Sequence, residues 1–278
     1  MSISFRLTVM NFLQFFVWGA WLISFGAYMS KTLGFTGVQI GSIYGSMGVA
    51  SLFMPGVMGI VADRWVNAER LYGALHLTGA GLLIWASTVR DYETLYFIML
   101  LNAMVFMPTI ALNNTISFRV LEQQGLNFIN RFPPIRVWGT VGFVIAMWFT
   151  DLSGGVLTTG QLFISATAAA CLGLYGFTMP ACLPYRDASK KSFVQALGLD
   201  AFVLFKSPQM VVFFLCAMML GGALQITNAF GGDFLVDFND TLNDVLFESV
   251  TVEEAASKIK SLRPRIKHFL DHIKNLGN

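Results

Sequence analysis

Seven long apolar segments, separated by shorter polar connections, follow one another along the first 231 residues of the chain. Each has roughly the 17–25 residues that a helix needs to cross the hydrocarbon core of a bilayer. Helices are expected because, in lipid, every backbone polar group must find its partner within the segment. The segments lie at about Leu7–Met29, Gln39–Val61, Tyr72–Val89, Leu95–Phe118, Pro134–Leu152, Leu162–Met179 and Met210–Gly231. The pattern therefore predicts an all-α, polytopic membrane protein.

The composition excludes most other classes of protein. Hydrophobic residues make up 55% of the 278 residues, charged residues only 12%, and the mean hydropathy is +0.62, whereas roughly a quarter of a soluble domain is charged. The three scattered cysteines predict neither a disulfide framework nor a metal site. Enzyme motifs, phosphate-binding glycine loops and aromatic-interleaved basic patches are all missing. We therefore expect no enzymatic activity, no cofactor and no nucleic-acid partner.

The positive charges predict the orientation. Up to the seventh span, ten Lys and Arg residues fall on the side of the N-terminus, against two on the other side, and the remaining six of the eighteen lie in the tail. The ten-to-two distribution is the one that the positive-inside rule associates with a cytoplasmic N-terminus. The ten are Arg6, Arg64, Arg70, Arg119, Arg131, Arg136, Arg186, Lys190, Lys191 and Lys206, and the two are Lys31 and Arg90. The first apolar segment is too long for the core of a signal peptide, so we interpret it as an uncleaved span.

A charged connection follows the second span. Gly59, Asp63 and Arg64 stand in the order G-x-x-x-D-R, which resembles the signature of the major facilitator superfamily. A small residue permits close helix approach, and an Asp–Arg cluster could latch a neighbouring helix end in one of two states. The alternative is an ordinary charged turn that obeys the positive-inside rule.

The fifth span begins with Phe132-Pro133-Pro134 and carries an arginine. We expect the two prolines to open the helix, because proline fits the first helical turn. Arg136, Thr140 and Phe143 are spaced i, i+4 and i+7, so they share one face. A guanidinium, a hydroxyl and an aromatic ring could bind a flat polar solute. Alternatively, Arg136 only reaches to the membrane interface and fixes the topology.

Uncharged polar residues mark one face of three other spans. They are Asn11, Gln14 and Trp18 in the first span, Asn102, Thr109 and Asn113 in the fourth, and Gln225 and Asn228 in the seventh. Such amides either line a hydrogen-bonding cavity or bond helix to helix. We favour bonding between helices for the first and fourth spans and a structural hydrogen bond for His76. The glycines around Gln225 and Asn228 suggest a bendable helix. No carboxylate up to residue 232 lies mid-span, so no proton-carrying carboxylate is evident.

The last forty residues, 239–278, read differently from the spans. Residues 251–254 form a capping box, and Ile259, Leu262, Ile266, Phe269, Ile273 and Leu276 then repeat with 3-4 spacing. Pro264 interrupts the pattern, so we expect a kink or a broken helix. This amphipathic tail could dock on its own protein, lie on the membrane or self-associate.

Residues 1 to about 238 resemble the nucleoside:proton symporter family of the major facilitator superfamily, which includes bacterial nucleoside and xanthosine permeases. The matching segments are 12–15, 59–63, 106–109, 132–140, 197–202 and 224–231. The resemblance implies that Arg136, Thr140, Phe143, Gln225 and Asn228 are nucleoside-binding positions. It also implies transport of nucleosides with protons across a bacterial cytoplasmic membrane.

The resemblance suggests a division of the chain. Residues 1–180 would form the six-helix N-terminal half of a major facilitator fold, 181–208 a cytoplasmic connection, 209–238 a seventh span, and 239–278 an unrelated tail. A family member should continue through five more spans, so we expect transport to be incomplete in this chain. The alternative is a non-transporting membrane scaffold or interaction protein that assembles through the seventh span or the tail seam.

Overall fold

The computed structural model describes residues 2–184 and 199–247, and the side chains of 2–184 and 203–238. Within these residues the chain is helical and contains no strand. The helices are α1 (Ile3–Gly19), α2 (Ser24–Ala27) continued by a π-helical turn (Tyr28–Thr32), α3 (Gly37–Arg64), α4 (Ala68–Thr88), α5 (Tyr92–Gln123), α6 (Phe128–Leu152), α7 (Gly160–Gly176), a 3-10 helix (Leu199–Lys206) and α8 (Pro208–Phe247). The all-α prediction is confirmed.

The predicted spans all fall on helices. Five helical stretches are long and apolar enough to cross a membrane: Ile3–Thr32, Gly37–Arg64, Tyr92–Gln123, Phe128–Leu152 and Pro208–Phe238. The other two segments correspond to α4, with 21 residues, and to the shorter apolar helix α7, with 17. The capping box and the apolar seam of the tail lie outside the described residues, as do residues 185–198, half of the predicted connection after the sixth span.

Side chains from the connections start several helices by accepting hydrogen bonds from amides that the first helical turn leaves unpaired. Ser2 caps α1, and Thr36 forms a reciprocal capping box with Gln39 at the start of α3. Asp91 caps α5 by accepting a hydrogen bond from the Thr94 amide. Hydrogen bonds from the side chain and the backbone of Thr94 lower the pKa of the Asp91 carboxyl. The polar connections therefore fix the starts of these helices.

Glycines bring pairs of helices into backbone contact. A Cβ at Gly19 would lie 2.5 Å from the carbonyl oxygen of Phe143, and a Cβ at Gly142 would collide with the carbonyl of Phe12. On the other side of the bundle, a Cβ at Gly73 would lie 2.8 Å from the carbonyl oxygen of Gly173. Close backbone approach matters in membranes because lipid supplies no hydrophobic force between helices. α6 is thereby fitted tightly to α1.

Gln14 joins three helices in the buried core. Its Nε2 donates to Thr109 Oγ1 of α5 at 2.9 Å, while its Oε1 accepts from Tyr72 Oη at 2.7 Å and faces His76 Nε2 at 3.0 Å. The Thr109 hydroxyl donates to the Phe106 carbonyl, so it must accept from Gln14, which assigns the proton of His76 to Nε2. His76 is thus a structural hydrogen-bonder, as predicted.

A second polar cluster lies one turn earlier on α1. Asn113 Nδ2 donates to Asn11 Oδ1 at 2.8 Å, and Asn11 Nδ2 donates to the Leu7 carbonyl at 3.0 Å and approaches Ser117 Oγ at 3.4 Å. These amides are fully buried and link α1 to α5. The prediction that the amides of the first and fourth spans bond helix to helix is confirmed for Asn11, Gln14 and Asn113.

α8 packs against the second half of the first span. Added Cβ atoms at Gly26 and Gly232 would collide with the carbonyl oxygens of Ala229 and Ile23 respectively. At the same end, Lys31 forms an ion pair with Asp237 and lies 3.9 Å from an oxygen of Asp233. Glycine contacts and charge therefore hold the first and seventh spans together at the end of the bundle opposite to the N-terminus.

Candidate functional site

The helix that carries the predicted arginine starts earlier than expected. α6 begins at Phe128 because the Asn127 side chain accepts from the Ile129 amide, 2.9 Å away. Pro133 and Pro134 therefore lie inside the helix, and the prediction that they open it is wrong. Without amide hydrogens they cannot bond back to the residues one turn before them, which leaves carbonyls of the first turn unpaired.

The Arg136 guanidinium lies on an aromatic ring rather than beside an acid. Its central carbon is 3.9 Å from the centroid of the Phe15 ring on α1, in the geometry of a cation–π contact. Among the described residues no carboxylate lies within ion-pair distance of Arg136. Gly139 makes the contact possible, because a Cβ there would lie 2.6 Å from the Phe15 ring and 2.9 Å from Arg136 Nη1. Arg136 is therefore a half-buried cation held in place by packing.

The other two residues of this face extend the site along α6. The Phe143 ring meets the Trp18 ring edge to face, with centroids 6.4 Å apart and an interplanar angle of 88°. Thr140 is exposed. The structure thus places Arg136 and Phe143 against α1 and leaves the threonine hydroxyl open.

Gln225 and Asn228 are half-buried on α8, one turn apart. Gln225 Nε2 is shielded from solvent and has no hydrogen-bond partner among the described residues. Gly221 and Gly222 have open space around them, and α8 runs through them as one helix. The seventh span therefore supplies a buried amide donor that has no acceptor among the described residues.

The first span connects the two groups. Phe143 touches it at Trp18 and Gly19, and Ala229, the neighbour of Asn228, touches it at Gly26. Gly19 and Gly26 are only seven residues apart, so the two groups are anchored close together along the first span. The contact between Arg136 and Phe15 was not evident from the sequence, since the two residues are far apart in the chain.

In the predicted latch, Asp63 pairs with an arginine from another helix. Asp63 accepts from Arg119 Nη2 of α5 at 2.8 Å, and the same guanidinium donates to the Leu183 carbonyl at 3.3 Å. Gly59 has no atom within 4 Å of an added Cβ, so its predicted role in close helix approach is not seen in this arrangement. Arg64, the third predicted member, is half-buried. The partner of Asp63 is thus Arg119, which sequence reasoning missed.

A neighbouring cluster ties the end of the sixth span to α4. The Cys182 amide donates to Glu69 Oε2 at 2.8 Å, and Asn67 Nδ2 donates to Glu69 Oε1 at 3.0 Å. Burial, together with the Glu69 carboxylate, raises the pKa of the Cys182 thiol to about 11. These contacts hold the segment that follows α7 against the bundle.

With this geometry in view, comparison with known proteins decides the family. The family model described as "Nucleoside H+ symporter" matches residues 1–262. The chain belongs to the nucleoside H+ symporter family. Its members are transporters rather than enzymes, and the chain is a multi-pass membrane protein. The match to this family runs beyond residue 238, where the resemblance was expected to end.

Individual relatives of this chain agree with the family assignment. It is 52% identical to the xanthosine permease of Escherichia coli K12 over 238 residues, covering 86% of this chain and 57% of the permease. It is 43% identical to the nucleoside permease NupG of the same organism over 262 residues, covering 94% of this chain and 62% of NupG. A crystal structure of a NupG mutant superposes with a TM-score of 0.80 at 42% identity, covering 94% of this chain and 64% of that one. The chain thus spans about three fifths of these relatives.

Proposed function

We propose that this chain holds one side of a nucleoside-binding site and belongs to a nucleoside–proton symport system. The observation that carries the proposal is the Arg136 guanidinium, a half-buried cation that rests on Phe15 without a carboxylate partner among the described residues. A cation away from bulk water needs a polar partner. Base carbonyls and ribose hydroxyls of a nucleoside are oxygen acceptors that a guanidinium binds well.

The remaining candidates complete one wall of the site. Phe143 offers a ring on which a base can stack, and Thr140 offers an exposed hydroxyl. Gln225 and Asn228 contribute amides from α8. The membership of the chain in the nucleoside H+ symporter family, and the names of its permease relatives, support this assignment.

The proposed location is a bacterial cytoplasmic membrane, with the N-terminus in the cytoplasm. This orientation is supported by the charges up to the seventh span, ten positive on that side against two on the other. In it, the pair of Asp63 and Arg119 lies at the cytoplasmic end, and the contacts of Lys31 with α8 lie at the outer end. The described arrangement would then be closed outside, as alternating access requires of one of its states.

A second candidate is a membrane scaffold that assembles through the seventh span. It is favoured by the apolar face of α8, since no residue in the most apolar window of Pro208–Phe238 is buried inside the described structure. A chain that remains monomeric in mild detergent, measured by light scattering, would exclude assembly through this face.

The proposed function is tested by nucleoside binding to the purified chain and by uptake into cells that lack their own nucleoside permeases. We expect Arg136→Ala to weaken binding about 10- to 100-fold, because a hydrogen bond from a charged donor contributes roughly 1.5–3 kcal/mol. Arg136→Lys should restore only part of the affinity, since lysine lacks the planar fork.

Arg131→Ala is the matched control, because Arg131 is an exposed cation on the same helix. It should bind nucleosides like the wild type. Binding that is insensitive to Arg136, or equally sensitive to both arginines, would refute the assignment. Uptake that a protonophore abolishes would show that this chain also couples transport to protons.

A further inference from the structure

Trp18 lies at the centre of an aromatic cluster beside the candidate site. Its ring centroid is 6.3 Å from that of Phe15, 5.8 Å from that of Phe106 and 6.4 Å from that of Phe143. Phe15 carries the Arg136 guanidinium on its face. Trp18 therefore contacts both the ring that positions the cation and the ring proposed to stack on a base.

The indole N–H of Trp18 has no hydrogen-bond acceptor among the described residues, although its nitrogen is shielded from solvent. A buried donor without a partner costs free energy, and native structures rarely tolerate one without a functional reason. The Gln14 side chain, one turn earlier, cannot help, because Thr109, Tyr72 and His76 already occupy both ends of its amide. Packing alone would be served by a phenylalanine, which all three ring neighbours of Trp18 are.

The unsatisfied groups at the site share one chemical character. The Arg136 guanidinium and the Trp18 indole can only donate hydrogen bonds, and the unpaired atom of Gln225 is its Nε2 donor. Donors of this kind require acceptors, of which the carbonyl oxygen of a base is a strong one. Exocyclic amino groups, which are themselves donors, cannot satisfy them.

We infer that Trp18 is a further substrate-contacting residue, which donates its indole N–H to a carbonyl oxygen of the nucleobase. The inference rests on the proposed function and adds a preference to it: this wall favours bases with a carbonyl over bases with an amino group at the same position. The flat base would lie against the aromatic cluster, and its carbonyl would supply the acceptor that the indole lacks in the described structure.

Inosine and adenosine test this directly, because they share the ribose and differ at the six-position of the purine, which is a carbonyl in inosine and an amine in adenosine. The full chain in detergent is titrated with each nucleoside. Trp18→Phe keeps an aromatic ring and removes the N–H. It should weaken inosine binding about fivefold, within the range for loss of one neutral hydrogen bond, and change adenosine binding by less than about twofold.

Trp21→Phe is the control, since Trp21 is a buried tryptophan one turn further along whose ring packs on Phe25 and makes no ring contact with Phe15 or Phe143. It should bind both nucleosides like the wild type. An independent readout is the indole N–H resonance of Trp18, assigned among the six tryptophans by its loss in Trp18→Phe. Inosine should move this resonance downfield, as a new hydrogen bond to the indole does, and adenosine should not.

The outcomes separate the two proposals. If Arg136→Ala abolishes binding while Trp18→Phe binds inosine normally, the inference about Trp18 is overturned and the nucleoside site stands. If Trp18→Phe weakens both nucleosides equally and lowers the unfolding midpoint, Trp18 has only a packing role and the inference is again overturned. If the wild-type chain binds neither nucleoside, the inference falls together with the proposed function.

Discussion

The substitution Gly19→Ala tests how strictly the packing of α1 on α6 sets the site. An added Cβ would lie 2.5 Å from the carbonyl oxygen of Phe143, 2.9 Å from its Cα and 3.0 Å from its carbonyl carbon. These are backbone atoms of a helix, so no side-chain rotation relieves the clash. To restore an ordinary contact of 3.4 Å, the helices must separate by about 1 Å at this point.

The expected cost follows from this geometry. Overpacking a tight contact costs about 1–3 kcal/mol, whereas replacing a helical glycine by alanine gains up to about 1 kcal/mol in helix propensity. The clash therefore dominates. Because Phe143 moves with the backbone, and a displacement of 1 Å in a positioned group can cost up to 100-fold in function, nucleoside binding should weaken roughly 10- to 100-fold.

The assay compares Gly19→Ala with Gly81→Ala by denaturant unfolding in detergent and by nucleoside titration. Gly81 lies on α4 and has no atom within 4 Å of an added Cβ. It reports the effect of a methyl group without a clash, so we expect its stability to equal or slightly exceed that of the wild type. If Gly19→Ala is as stable as Gly81→Ala and binds nucleosides equally well, the backbone contact does not set the site and the reasoning fails.

Three further predictions concern the supporting structure. Gln14→Leu should destabilise the chain in denaturant unfolding by about 1–3 kcal/mol for each polar group it orphans, and unchanged stability would contradict the hydrogen-bond assignment. Asp63→Asn should change the free energy of unfolding by less than about 1 kcal/mol, because half of the Asp63 side chain is exposed. If the pair of Asp63 and Arg119 acts as a latch, the same substitution should slow nucleoside uptake. Loss of folding would contradict the small stability effect. In a variant with Cys182 as the sole cysteine, iodoacetamide at pH 8 should react about 100-fold more slowly than with a free thiol, because the raised pKa, about 11, leaves little thiolate. The reaction should accelerate as the pH rises towards 11, and alkylation at the rate of a free thiol at pH 8 would refute the raised pKa.

The helices and the faces of polar residues were predictable because both depend on local sequence. An apolar run of bilayer length fixes a span, and i, i+4, i+7 spacing fixes a face, so Arg136 and Phe143 were correctly expected to lie on the same side of α6. The start of that helix was missed because Asn127 caps it before the prolines are reached. The Asn127 cap thus had more influence on where the helix starts than the preference of proline for the first helical turn.

The partners of the charged groups could not be predicted, because they come from distant parts of the chain. Nothing near Asp63 indicates that Arg119 will reach it, and nothing near Arg136 indicates the ring of Phe15. Likewise, Gly59 matched a signature for close helix approach, but the contact that such a residue would permit depends on which helix lies opposite. Spacing within a segment defines a face, while the neighbour of that face is a property of the whole fold.

The first span contacts both helices of the candidate site, α6 and α8, and the helix of this span is interrupted. α1 ends at Gly19 and α2 begins at Ser24, so the interruption lies between the contact of Trp18 with Phe143 and the contact of Gly26 with Ala229. α6 packs on the first span before the interruption, and α8 packs on it after the interruption. A displacement of α6 relative to α8 must therefore either bend the first span at the interruption or break one of these backbone contacts. A break in the helical hydrogen-bond ladder is the less costly place to bend. Substrate that bridges α6 and α8 would therefore act on the geometry of this interruption.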